Sequence, residues 1–97
     1  MKVLKYGLSW NGETVIRVPA AARVLRVDLQ RGEPHAWVAL DPDHEGRYPM
    51  RICIVGTGRP VPRGFEPFCT FFQYDGELVW HACVMSEIPM EKLTNVH

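Results

Sequence analysis

The chain has 97 residues, the common size of one domain, and at that length folding buries roughly 65% of the unfolded surface around a single core. A hydrophobic content of 46%, with 10% aromatic residues, excludes a wholly disordered chain. Eleven basic and eleven acidic residues cancel, so no global field steers the protein to nucleic acid or anionic membrane, and any polyanion site must be a local cluster.

In chain order, Met1 to Tyr6 carries no long apolar stretch ending in small cleavage-site residues. No run reaches the ~18 apolar residues of a membrane span. The expectation is a non-secreted protein with no membrane partner. The dipeptide Asn11-Gly12 supplies the positive φ angles of a tight turn, and predicts a hairpin between a strand over Val3 to Trp10 and one over Thr14 to Val18. Pro19-Ala20-Ala21-Ala22 predicts a single helical turn with proline at its first position. Leu25, Val27 and Leu29 then alternate with Arg26, Asp28 and Gln30, the pattern of a half-buried strand.

A strand over His35 to Leu40 follows the short loop Arg31-Gly32-Glu33-Pro34, and Arg51 to Val55 follows the polar loop Asp41 to Pro49. The second turn dipeptide, Asp75-Gly76, joins Phe68 to Tyr74 with Glu77 to Val84. A two-residue turn fixes that register: Phe72 faces Val79, Phe71 faces Trp80, Thr70 faces His81 and Phe68 faces Cys83. The ribbon is then apolar on both sides. It is either central in two layers, or covered by core on one side and by a partner on the other. A further short turn is expected at Pro89. The fold class that follows is all-β, or β-rich with one or two short helical turns: a small antiparallel sandwich or barrel of about seven strands. Residues 1–85 form one domain. The tail 86–97 is expected to dock on that domain or on a neighbouring chain, giving a possible homo-oligomer.

Catalysis needs a nucleophile, base or metal in convergent geometry. The chain has no Gly-x-Ser-x-Gly, no His-Glu-x-x-His and no Walker loop. His81 and Cys83 share a strand face, but residues two apart lie roughly 6 to 7 Å from each other, too far for a direct hydrogen bond. Asp41-Pro42-Asp43-His44-Glu45-Gly46 opens like a calcium loop, yet position twelve, which should be glutamate, is Ile52. His35, His44, His81 and His97 are too scattered for a zinc spacing. Cys53, Cys69 and Cys83 are odd in number and lack Cys-x-x-Cys spacing, which fits buried thiols in a reducing compartment. No enzyme activity, metal or cofactor is expected. Trp37 and Trp80, among smaller apolar neighbours, are expected to be largely buried.

The most suggestive loop is Gly56-Thr57-Gly58-Arg59-Pro60. Glycines let backbone N–H groups approach an anion, and Arg59 can pair with it. From Arg47 to Arg63 the chain holds Arg47, Arg51, Arg59 and Arg63 and no acidic residue. Gly56, Thr57, Gly58, Arg59 and Arg63 are therefore the candidate anion-binding rim. Arg47 and Arg51 are candidate contacts to a partner or polyanion.

Val18-Pro19 leading through small residues to Val24-Leu25, Trp37 in a strand ending Leu40-Asp41-Pro42, Ile54-Val55-Gly56-Thr57-Gly58, and Val79-Trp80-His81 together carry a resemblance over most of residues 3–84. The chain resembles an uncharacterised family of small proteins encoded by tailed bacteriophages and prophages. The resemblance implies action in the host bacterial cytoplasm during infection, and supplies no activity or catalytic residues. By analogy with small phage accessory proteins, the leading expectation is a non-enzymatic inhibitor of a host defence system. Its partner would be a host protein that it caps, or a small anionic nucleotide that it sequesters. The alternatives are a nucleic-acid-binding module using an aromatic sheet and the four arginines, and a minor virion or assembly protein.

Overall fold

The computed structural model describes residues 1–44 and 46–87. Seven strands run in the order β1 (Lys2–Gly7), β2 (Glu13–Val18), β3 (Arg23–Gln30), β4 (Glu33–Leu40), β5 (Tyr48–Gly56), β6 (Glu66–Gln73) and β7 (Leu78–Ser86). They form two sheets, one of three strands ordered β1-β4-β3 and one of four ordered β2-β5-β7-β6. Every pairing is antiparallel. The sheets pack face to face as a sandwich and do not close into a barrel, so of the two expected architectures the sandwich is the one adopted.

The core follows from alternation. Ile16 and Val18 of β2, Val27 of β3, Ala36, Val38 and Leu40 of β4, Met50, Ile52 and Ile54 of β5, Phe71 of β6 and Ala82 of β7 meet between the sheets. One end of the sandwich is plugged by aromatics. Trp10 lies 5.1 Å from Trp80 and 6.4 Å from Phe71, ring centre to ring centre, and Trp80 Nε1 donates to Gln73 Oε1 at 3.0 Å.

The expected Asp75-Gly76 turn forms with the residues that demand it, and the expected loop Arg31 to Pro34 is shorter than predicted. Tyr74, Asp75 and Gly76 have φ of 54°, 54° and 90°, and Glu77 N donates to Tyr74 O at 3.0 Å, which closes a tight hairpin. The pairs Phe72–Val79, Phe71–Trp80 and Thr70–His81 are those the turn predicts. Arg31 and Gly32, at φ 53° and 79°, make a second tight hairpin, so β4 starts at Glu33, ahead of the expected His35.

Four expectations are corrected. Asn11-Gly12 does not join a hairpin: β1 pairs with β4, and β2 with β5 in the other sheet. Gly12 alone takes positive φ there, so no type I′ turn forms, and the chain crosses between sheets as Trp10 turns onto Trp80. Pro19 to Ala22 is no helical turn. Ala22 N bonds Pro19 O and Ala21 sits at φ 68°, a tight turn that carries the chain from one sheet to the other. In β3 a bulge at Leu25 shifts the register, leaving Leu25 46% exposed while Val24 packs on the core. In β6 a bulge at Phe68 replaces the expected Phe68–Cys83 pair with Pro67–Cys83. Because β7 is central and β6 is an edge, the ribbon divides: Phe72 is 60% exposed, whereas Ala82 and Cys83 are buried.

Glu87 N donates to Pro49 O at 3.0 Å and continues the line of β7. The expected docking of the tail beyond Glu87, and the turn at Pro89, lie outside the described residues.

Candidate functional site

Strand order builds the site. β7 stands between β5 and β6, so the connection of residues 57–65 must cross β7, and it does so on the outer face of the four-stranded sheet. Phe65 closes over Cys53 and Cys83, with Val55 and Met85 against it. Gly64, at φ 88°, passes so close to β7 that a Cβ there would lie 2.9 Å from Met85 Sδ. At the other end, Thr57 N donates to Val79 O at 3.3 Å. The hydroxyl of Thr57 lies 2.8 Å from His81 Nε2, and the hydroxyl of Thr70 lies 2.9 Å from Nδ1 of the same ring. The loop is anchored at both ends.

The expected rim can now be placed. Gly56, Thr57, Gly58 and Arg59 form one turn, in which Arg59 N donates to Gly56 O at 3.1 Å and Gly58 adopts φ 88°. The amides of Thr57 and Arg59 are thereby satisfied inside the protein. An anion at this loop would meet guanidinium groups more than a backbone cradle. Arg59 and Arg63 are exposed, and among the described residues neither forms an ion pair. A shallow pocket of about 360 Å³ lies beside the turn, lined by Gly56, Thr57, Glu77, Leu78, Val79 and Trp80.

Arg51 does not join them as a free cation, and Arg47 stands apart on the loop before β5. Arg51 is clamped between two carboxylates, with Nη1 on Glu13 at 2.6 Å and Nε on Glu87 at 2.6 Å. Those contacts, Glu87 first, hold its pKa above the usual value. Arg47 Nη1 donates to Gly46 O at 2.8 Å and so braces its own loop. In the calcium-like loop, Asp41 Oδ1 accepts from Asp43 N at 3.1 Å, a local turn contact. Among the described residues no cluster of three His, Cys, Asp or Glu side chains is placed to hold a metal.

His81 and Cys83 do share the outer face, and both ring nitrogens of the histidine are occupied by threonine hydroxyls. Cys83 instead faces Cys53 across the ladder. Burial pushes the Cys53 thiol up to about 11, with the Cys83 thiol beside it adding to the rise. Burial also raises Cys83 and Cys69, and the Cys69 thiol donates to Val27 O at 3.5 Å on the inner side.

A second surface was missed from the sequence. Trp37 and Trp80 are each half-buried, against the expectation of near-complete burial, and they differ in kind. Trp80 packs inward on the core, whereas Trp37 sits on the outer face of the three-stranded sheet. There Lys5 of β1 and Arg26 of β3 lie directly opposite it, and the His35 ring stands 6.2 Å away. The signal was present: Ala36, Val38 and Leu40 alternate inward, which turns His35, Trp37 and Ala39 outward.

No helix among the described residues is long and apolar enough to cross a membrane. No curated protein and no solved structure matches the chain. A family model described as a domain of unknown function, DUF7352, matches residues 1–91, and the chain belongs to that family.

Proposed function

We propose that the protein is a non-enzymatic binding domain whose crossing loop, residues 57–65, presents Arg59 and Arg63 to a small anionic ligand of nucleotide type. One observation carries this reading: the two arginines are exposed, without carboxylate partners among the described residues, and lie four residues apart on one loop fixed at both ends, whereas the other exposed arginines without such partners, Arg17, Arg23, Arg31 and Arg47, are dispersed over β2, β3 and two other connections. A fixed loop loses little entropy on binding, and guanidinium groups pair with phosphate oxygens in bidentate fashion. The non-enzymatic reading is supported by His81, whose ring nitrogens are engaged, and by thiols driven toward their neutral form. The bacteriophage resemblance sets the binding in an infected bacterial cytoplasm, where sequestering a nucleotide signal would blunt a host defence. Capping a host protein is the same surface used on a larger acidic partner.

Calorimetric titration with cyclic and linear nucleotides at two salt concentrations tests the reading. Wild type should bind one ligand class, and Arg59→Ala and Arg63→Ala should each lose at least tenfold in affinity, about 1.4 kcal/mol. Equal binding by Arg59→Ala moves the site elsewhere. No binding by wild type removes the nucleotide and leaves capture of a host protein.

The Trp37 face favours a second reading, a nucleic-acid-binding module. A half-buried indole between Lys5 and Arg26 on an outer sheet face has the parts of a stacking site for an unpaired base. Quenching of Trp37 fluorescence by short single strands, lost in Trp37→Phe with Lys5→Ala, would support it.

A further inference from the structure

We propose that Cys53 and Cys83 are a thiol pair built to close into an intramolecular disulfide when the protein meets hydrogen peroxide. They are Cα partners in the β5–β7 ladder. Directly opposite residues in an antiparallel pair lie about 4.5 to 5.5 Å apart at Cα, inside the ~4.4 to 6.8 Å that a disulfide spans. The two side chains pack in one cluster beneath Phe65. All three cysteines are free thiols, and Cys69 cannot compete, because it opposes Ala82 and aims its sulfur at Val27 on the inner face.

The pair is asymmetric toward solvent. Cys83 is fully buried, whereas Cys53 is 5% exposed and forms part of the wall of a groove of about 320 Å³ with Val55, Pro62 and Phe65. Peroxide therefore meets Cys53 first. The Cys53 thiolate attacks one peroxide oxygen, the O–O bond breaks, and the departing hydroxide takes a proton to become water, leaving Cys53 as a sulfenic acid. The Cys83 sulfur then attacks the Cys53 sulfur, the S–O bond breaks, and hydroxide leaves as a second water with the proton of Cys83. Two thiols lose two electrons to form one S–S bond, and one peroxide becomes two waters. Burial keeps both thiols protonated near neutrality, so the pair is slow at pH 7 and its closure should accelerate close to tenfold per pH unit toward pH 9.

The test uses the full chain treated with hydrogen peroxide at pH 7, 8 and 9, quenched with catalase, unfolded and alkylated with N-ethylmaleimide. Expected are a monomer that has lost two reactive thiols, a peptide cross-link between Cys53 and Cys83 that dithiothreitol removes, and the same result in Cys69→Ser. In Cys83→Ala, dimedone should trap a sulfenic acid at Cys53. If that variant fails to fold, the pH series and the cross-link map in Cys69→Ser still decide. Three intact thiols at pH 9, a disulfide through Cys69, a bond between two chains, or sulfinic acid at Cys53 with Cys83 still free would each overturn the proposal.

Discussion

The outer faces of the two sheets have opposite fates. On the four-stranded sheet, β7 is inserted between β5 and β6, so the chain must cross it, and the crossing lays Phe65 over the cysteine pair and locks Thr57 to His81. On the three-stranded sheet β4 follows β3 through a two-residue turn, and β1 reaches the sheet from its own edge. Among the described residues no connection passes over that face, and Val3 there is 54% exposed and Trp37 only half-buried. Topology, more than composition, decides which face has a lid. Buried thiols accumulate under the lid, and cations beside an aromatic ring accumulate where it is absent.

The largest effect should come from removing the lid. Phe65→Ala strips the cap from Cys53 and Cys83 and should cost about 3 kcal/mol, measured by urea unfolding, with Cys53 becoming reactive to Ellman's reagent. Trp37→Ala on the open face should cost less, about 1 to 2 kcal/mol, because part of its surface is already in water. Equal costs would erase the contrast between the faces. Glycine substitutions sharpen it at smaller amplitude. Gly64→Ala puts a side chain at φ 88° and 2.9 Å from Met85 Sδ, a strain of about 1 to 2 kcal/mol. Gly7→Ala on the open sheet meets nothing within 4 Å and should be neutral or stabilising by about 0.5 kcal/mol.

Much of this fold was legible because local chemistry and tertiary pairing agreed. Asp75-Gly76 demanded positive φ at two successive positions, received it, and fixed the β6–β7 register from Gln73 back to Cys69. Asn11-Gly12 looked equivalent and was not, since the burial of Trp10 against Trp80 outweighs what an isolated hairpin gains. The bulges at Leu25 and Phe68 left no mark in composition, yet each shifts its strand by one residue and so reverses which side chains face out. The surplus of arginine from Arg47 to Arg63 was also legible, but its division was not. Arg51 is neutralised by Glu13 and Glu87, 38 and 36 residues away, partners that no local window contains.

Alkaline pH offers a subtler probe of the covered face. The folded Cys53 pKa, about 11, stands above its ordinary value of 9.0. A group whose pKa is raised by folding gives stability that is complete below its unfolded pKa and lost as pH rises through the folded one. Stability should therefore fall between about pH 9 and 11 more steeply in wild type than in Cys53→Ala, followed by urea midpoints at each pH. Parallel curves would mean that the lid does not desolvate the thiol.

The smallest effect belongs to the open face, and it separates stability from binding. Asp28 bonds Arg26 at 2.6 Å through a pair largely in water. The Arg26 contact, helped by the Leu29 amide, holds the Asp28 carboxyl below its ordinary value against the opposing effect of burial. A depressed carboxylate contributes stability that is present above its unfolded pKa of about 3.9 and lost as pH falls through the lower folded value. Wild type should thus lose slightly more stability than Asp28→Asn as pH drops below about 4. At pH 7 the substitution should cost no more than about 1 kcal/mol, as exposed pairs do. It also releases Arg26 directly opposite Trp37. If that face stacks single-stranded nucleic acid, Asp28→Asn should bind more tightly than wild type and show a steeper salt dependence, because one more cation is free to meet phosphate. Nucleotide binding at Arg59 and Arg63 should be untouched. A change there without a change at Trp37 would assign the working surface to the lidded side of the molecule.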